Sequence, residues 1–521
     1  MKKIIVMKKI IVLLSFFCFS THAQNISVSS GRSFTIEKTG SVTVGGNFSN
    51  SGTFTMGSDP NEFSSLIVSG TSSGNITYNR YVNIAVDSGS NEWDLVGSPV
   101  DGLSISSFVS TNSSAIATSG STYALGYYDN SNDSWTNYNT STVGGAGNLT
   151  LGKGYQMASA SGSTMAFTGT VATSTQTQSV INNADSSGRR WNLVANPFPS
   201  YINLNTQAHE TNNFLTVNSS VIDGSYLAVY GYDADGTGYS IYNNTAGDGL
   251  SDYIAPGQAF FVAAASASAA NISFTTAMRT TSGGDDFVSG RLAQNDWSNF
   301  YLRLYEDDNF ASETQFYFEQ GLSLGLDPGH DAGAPFEDVL MSRLVEEDQG
   351  IGMAINAMGN DFDDTTVPLV INRDTGVEFS ISLEDSTIPE GVGIYLEDTL
   401  LETLTDLRAE DFTLTPESDL SDMGRFYLRI GNTNLGGNDL EESYINVYKA
   451  ASDDFVTIEG LSNVEKANVQ LFNILGQEVL NTTLQSNQST QRVSTRGLTT
   501  GIYVIRLQAD SSVISKKVII N

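Results

Sequence analysis

Catalysis or metal binding needs nucleophiles, acid–base pairs or ligands at workable spacing, and this 521-residue chain offers few. Its single cysteine, Cys18, lies among Phe16, Phe17 and Phe19 near the N-terminus. The chain beyond it can form neither disulfides nor thiolate centres. Of three histidines, His22 falls in the same early segment, which leaves His209 and His330. No HExxH, no GxSxG elbow and no phosphate-binding glycine loop occurs. His330 stands between Asp327 and Asp331 in a Pro-Gly segment, so a Ser-His-Asp triad is one reading and a turn histidine the simpler one. His209, beside Glu210 in a polar stretch, reads as a solvated loop residue. With 57 acids, paired carboxylates could run glycoside hydrolysis, which needs only two acids at a fixed separation. The expectation is nevertheless a non-catalytic protein, with a secreted carbohydrate-active hydrolase as the alternative.

Two acidic turns have the look of cation loops. Asp233 and Asp235 place carboxylates two apart before Gly236 and Gly238, and Asp129 and Asp133 bracket a similar turn. Oxygen-rich calcium loops use such spacing, but no distant bidentate glutamate follows either one. A β-hairpin turn is the competing reading, for which Asp-Gly is a strong signal. Asp361, Asp363 and Asp364 form a third acidic loop. The expected cofactor is therefore none, with calcium at Asp233 and Asp235 as the alternative. Tyr127, Tyr128, Trp135 and Tyr138 crowd one hairpin, and Tyr230, Tyr232, Tyr239 and Tyr242 another. Exposed rings there could stack on sugars. Buried ones would be ordinary cross-strand pairs.

The elements that must carry these residues read as β throughout. Strands of a few residues recur over 24–87, with Ile26, Phe34, Val42, Phe54, Leu66 and Ile76 among their apolar positions. Strands this short bury a face only by stacking, which predicts a small β-helix-like cap. Residues 88–185 and 186–283 are two copies of one unit. Trp93-Asp94-Leu95-Val96-Gly97 returns as Trp191-Asn192-Leu193-Val194-Ala195, Tyr127-Tyr128-Asp129 as Gly231-Tyr232-Asp233, and Gly154-Tyr155 as Gly257-Gln258. Strict alternation at Phe300, Leu302 and Leu304 and at Phe426, Leu428 and Ile430 predicts an antiparallel sandwich over 284–450. A helical turn is expected at 339–344. The fold class is thus all-β, with several sandwich-like domains in tandem.

Charge and termini bound the setting. Lys2, Lys3, Lys8 and Lys9 precede an apolar run over 10–19, and Thr21-His22-Ala23 places small residues where a signal peptidase reads. Cleavage between Ala23 and Gln24 is expected. The run is too short to span a bilayer, and no later segment is long enough. Net charge is −32, and loss of those four lysines takes it to −36. Such a chain repels phosphate backbones and anionic membranes, so nucleic acid is not an expected partner.

The last segment, 455–521, carries Val469, Leu471 and Asn473, then Gly476-Gln477, then Leu498, Gly501-Ile502-Tyr503, and finally Lys516-Lys517. This ordered set resembles the C-terminal sorting domain of type IX secretion substrates of Bacteroidetes. Gly476 and Gly501 suit turns, and Tyr503, Ile505 and Leu507 alternate with Val504 and Arg506, as a β-sandwich tag requires. The resemblance implies the type IX machinery as partner, passage of the outer membrane, and a cut near 449–454. Release or surface attachment would follow. The phrases WNLVANPFPS, SLGLDPGHDAG and IYLED with RFYLRI further resemble flavobacterial cell-surface and adhesin-like proteins. That likeness implies a surface-interaction role toward glycans or proteins.

Overall fold

The computed structural model describes residues 21–85, 93–183, 187–233, 238–245, 252–281, 283, 298–335, 339–360, 362, 364–421, 423–431, 446–448, 455–459, 466–473, 478–485, 490–499, 501–509 and 512–520. They fall in two compact units, one reaching Thr433 and one starting at Asn434.

The first unit opens with three columns of parallel strands. Thr21–Ala23, Ser41–Val44 and Ser65–Val68 form one column; Ile26–Val28, Phe48–Asn50 and Ser72–Ser73 the second; Ser33–Ile36, Thr53–Met56 and Ile76–Val82 the third. The chain visits them in rotation, which is a three-sided β-helix. All of these strands but the seven-residue Ile76–Val82 have two to four residues and cannot bury a face in isolation, so Val44, Phe48, Phe54, Met56, Val68 and Ile76 fill a shared interior. Turns stack as well. Asn25 Oδ1 accepts the Asn47 amide at 2.7 Å, and Asn47 Oδ1 accepts the Thr71 amide one rung later at 2.9 Å. Gly74, at φ 79°, must be glycine because a Cβ there would lie 1.9 Å from the Asn50 carbonyl oxygen.

Ile76–Val82 then pairs antiparallel with Ser163–Gly169, joining the helix to the first copy of the duplicated unit. In that copy Asp94–Gly97, Gly154–Met157, Thr122–Asp129 and Ser134–Asn139 lie side by side. In the second, Trp191–Ala195, Ala259–Ala263, Val229–Asp233 and Gly238–Tyr242 repeat the order. The match corrects one expected equivalence. Leu95 faces Gln156 while Leu193 faces Phe261, so Gly257 corresponds to Gly152 and not to Gly154. Both glycines have positive φ, 80° and 66°. The copies meet about a local two-fold relation. The Gly97 amide donates to the Gly257 carbonyl at 2.7 Å, and the Ala195 amide donates to the Gly152 carbonyl at 2.9 Å.

A second matched device went unread in the sequence. Each copy has a short helix, Ile105–Thr111 capped by Ser104 and Phe214–Asn218 capped by Asn213. At its end sits a buried asparagine. Asn112 Nδ2 donates to the Phe108 and Ala166 carbonyls while its Oδ1 accepts the Ala166 amide. Asn218 does the same with Phe214 and Ser273.

The third region is one long sheet that wraps its own core. Its order runs Thr403–Asp406, Gly393–Asp398, Phe426–Gly431, Thr365–Ile371, Leu340–Ser342, Met353–Met358, Asn309–Phe318, Ser298–Glu306, Phe379–Glu384, Phe412–Leu414. Phe412 and Phe426, far apart in that order, have ring centroids 5.9 Å apart, so the two halves face each other across the interior. One pairing, Asn309–Phe318 with Met353–Met358, is parallel where antiparallel was expected. The helical turn expected at 339–344 is instead the strand Leu340–Ser342, buried throughout and paired with Thr365–Ile371. A short apolar run carries no period long enough to separate the two states.

The second unit packs two sheets. Asn446–Tyr448, Phe455–Glu459 and Thr490–Ser494 form one; Glu478–Gln485, Lys466–Asn473, Gly501–Ala509 and Ser512–Ile520 form the other. Val456, Ile458, Val469, Leu471, Val493, Ile505 and Leu507 share the core between them.

Candidate functional site

The segment around His330 is the place where the chemistry-bearing residues converge. It joins the second copy to the third region. The apolar bed beneath it combines Trp191, Tyr226, Tyr230 and Phe261 with Tyr301, Tyr317 and Ile355. Onto this bed the loop is tied by backbone and side chain. Asn244 donates its amide to the Gly329 carbonyl at 2.8 Å, Asn243 Nδ2 donates to the His330 carbonyl at 2.7 Å, and the Tyr230 hydroxyl donates to the Gly333 carbonyl at 2.8 Å. Gly333 lies so close to the Tyr226 ring that a Cβ would sit 2.5 Å from it.

The side chains of the suspected triad point to different partners. His330 Nδ1 lies 3.0 Å from the Thr245 hydroxyl, and burial pushes its pKa below the ordinary histidine value. Asp331 is fully buried, with Oδ2 accepting the Asp327 amide at 2.6 Å and Oδ1 the Ala357 amide at 2.7 Å. Burial raises its pKa to about 7, against the pull of those two amides. Asp327 Oδ2 accepts the amide and hydroxyl of Ser323 at 2.7 and 2.9 Å. The arrangement fastens a loop. It aligns neither carboxylate with His330 Nδ1. His209 is exposed and accepts the Asn212 amide at 3.1 Å, closing its own turn.

The first acidic turn is likewise engaged locally. Asp129 Oδ1 accepts the Ser131 amide and hydroxyl and Oδ2 accepts Asn132 Nδ2, which together hold its carboxyl below the usual range. Asp133 accepts the Tyr128 hydroxyl at 2.5 Å. Asp233 closes the strand Val229–Asp233 opposite Gly238, while Asp235, Asp361 and Asp363 lie outside the described residues. Among the described residues no group of three or more His, Cys, Asp or Glu is placed to hold a metal.

The aromatic hairpins pack inward more than outward. Tyr230 and Tyr242 are buried, and Tyr128 contacts both Trp135 and Phe261 at 5.4 and 5.1 Å. Trp135 keeps 38% of its surface exposed. Tyr127 stacks under the Lys153 ammonium at 4.8 Å. Sequence reading missed the charged lattice on the third sheet. Arg425 grips the buried Asp398 at 2.9 and 2.7 Å, Arg429 pairs with Glu397, and Arg303 sits among Glu313, Glu384 and Asp385. Several of these partners are distant in the chain, as with Arg303 and Glu384, so local pattern does not reveal them.

The terminal residues have clear places. Ala23 ends the first strand of the β-helix, paired in parallel with Val44, and Gln24 is exposed just after it. In the second unit Val469 and Leu471 are core residues, Asn473 pairs with Tyr503, and the Tyr503 hydroxyl donates to the Thr499 carbonyl at 2.8 Å. Leu498 packs against that core. Gly501, Ile502, Lys516 and Lys517 lie on the paired strands Gly501–Ala509 and Ser512–Ile520, with Ile502 opposite Ile519. Gly476 and Gln477 fall outside the described residues, as does the expected cut at 449–454. The strands on either side of that stretch, Asn446–Tyr448 and Phe455–Glu459, pair with each other, so the module begins before 455. Among the described residues no helix is long and apolar enough to cross a membrane.

Comparison with known proteins agrees with this division. Residues 446–521 match the model of the secretion system C-terminal sorting domain, and residues 3–430 match a domain of unknown function, DUF8693. No curated protein matches the chain. Among solved structures, a two fibronectin type-III domain segment from chicken tenascin aligns at 11% identity over 30% of this chain and 96% of that one, with a TM-score of 0.12. The chain is a member of the DUF8693 family, and its sorting domain makes it a substrate of type IX secretion.

Proposed function

We propose that the exported body is a non-catalytic, adhesin-like protein of the cell surface or surroundings, built to bind or to brace and delivered after removal of residues 1–23. One observation carries this reading. His330 and Asp331, the groups best suited to chemistry, are engaged in fastening the second copy to the third sheet. Glu313, Glu397 and Asp398 of that sheet pair with arginines in the same constructive way. The duplicated, glycine-tight joint supports it too, because a rigid scaffold presents surfaces without needing a mobile cleft.

The test is a glycan and envelope-protein array probed with purified secreted protein, with calcium and with chelator, alongside assays for released sugar. Retention on specific spots without turnover is the expected result, and loss on chelation would assign calcium to the acidic hairpins. Turnover of any arrayed glycan would overturn the reading in favour of a carbohydrate-active hydrolase.

A further inference from the structure

Four apolar side chains gather at one end of the third sheet. Leu400 is 68% exposed, Leu401 53%, Leu404 43% and Met423 48%. Leu400 and Leu401 form the tip of the hairpin joining Gly393–Asp398 to Thr403–Asp406. The tip is held stiffly outward. Asp398 Oδ1 accepts the amides of Leu400 and Leu401 at 3.0 and 3.2 Å, and the Arg425 fork clamps the same buried carboxylate. The Thr399 hydroxyl reaches the Gly424 carbonyl at 3.2 Å, which brings Met423 alongside. Leucines fixed in this way cannot fold back into the core.

The neighbouring strand is an edge among the described residues. Thr403–Asp406 stands last in the order of its sheet, so none of the described strands pairs with the backbone groups of its outer side. Natural edges are commonly blunted by lysine or proline, and Thr403-Leu404-Thr405-Asp406 has neither. Around it stand Glu402, Asp406, Glu410 and Asp411, none of which joins an ion pair among the described residues. Of the bases beside it, Arg425 is paired with Asp398, and Arg408 turns its guanidinium to the carbonyls of Val392, Ile388 and Pro389. The field at this edge is therefore negative, which selects a cationic occupant.

We infer that this edge and its leucine tip are a docking site for an extended basic polypeptide segment. The segment adds as a strand beside Thr403–Asp406, lays apolar side chains on Leu400, Leu401 and Leu404, and sets its cations against Glu402 and Asp406. The inference rests on the binding reading above and gives it a surface and a partner chemistry.

The probe is a fluorescent ten-residue peptide of alternating Lys and Val, with a Glu and Val counterpart, titrated by anisotropy against the full secreted chain. The Lys peptide should bind and weaken with added salt. L400S/L401S should lower its affinity roughly tenfold at an unchanged melting temperature, since both side chains are exposed. E402K should weaken binding further. Equal binding of the two peptides, or full binding by L400S/L401S, would overturn the site. So would capture of phosphatidylcholine vesicles in place of peptide, or self-association of the chain that L400S/L401S abolishes. Array binding is measured on the same variants. If it survives in L400S/L401S while the peptide never binds, the docking site falls and the adhesin-like reading stands.

Discussion

At the scale of single residues, the informative groups are polar ones placed where water is absent. Asp331 is the sharpest case. Burial favours its neutral form, so its folded pKa of about 7 lies above the ordinary 3.8. The native state then binds a proton that the unfolded chain has already lost between those values. The contribution of this group to stability is full below about pH 4, declines as pH rises toward 7, and is flat beyond. Asp331→Asn removes the titration, but sets an amide NH2 where Oδ2 accepts the Asp327 amide, at a cost of about 1–3 kcal/mol. Wild type should thus exceed the variant in melting temperature most at pH 4, with the gap narrowing toward pH 7.5. A gap independent of pH would show that Asp331 is ionised throughout. The same scale accounts for the turn at His330. His330, Asp327 and Asp331 are close in sequence, yet tight loop geometry sends their side chains to Thr245, Ser323 and the Ala357 amide.

Among elements, the helix-end asparagines are what hold each copy together. Asn218 is 1% exposed; one of its hydrogen bonds goes to the Phe214 carbonyl of its own helix, and two more join that helix to Ser273 of the strand Ala270–Phe274. Asn218→Ala leaves the Ser273 amide and carbonyl unpaired in the interior and should cost about 2–3 kcal/mol. Asn112→Ala should cost a similar amount, because Phe108 and Ala166 occupy the matching places in the first copy. Calorimetry on both variants checks the pair, and a neutral result for either would break the equivalence. Much at this scale was legible in advance. Alternation at Phe300, Leu302 and Leu304 became a buried face, and the landmarks Trp93 and Trp191 do head equivalent strands. The placing of Gly257 was misjudged by two residues. An even shift keeps every side chain on its expected face, so pattern alone cannot see it.

For the whole molecule, the sorting domain decides destination and the DUF8693 body decides what arrives. Val469, Leu471, Tyr503, Ile505 and Leu507 share one core in the second unit, so removing part of it unfolds the rest. Deletion of residues 464–521 should leave the body in the periplasm, detected by fractionation and immunoblot. Unchanged appearance in the medium or on the cell surface would refute the sorting role of this module.

The sequence by itself determined the β character, the duplication, the sorting module and the acidic charge. Each of these rests on local alternation, on repeated words or on composition, all of which survive without knowing what lies beside what. Only the tertiary structure decided how strands stack into a three-sided helix, where the two copies clasp, and which carboxylates meet arginines. It also decided that His330 fastens a joint and that Leu400 and Leu401 stand in solvent. Those outcomes depend on register and on contacts between residues distant in the chain, as with Arg80, whose guanidinium reaches the Pro256 carbonyl from inside the β-helix strand. Burial and pairing are properties of neighbours, and neighbours are assigned by the fold.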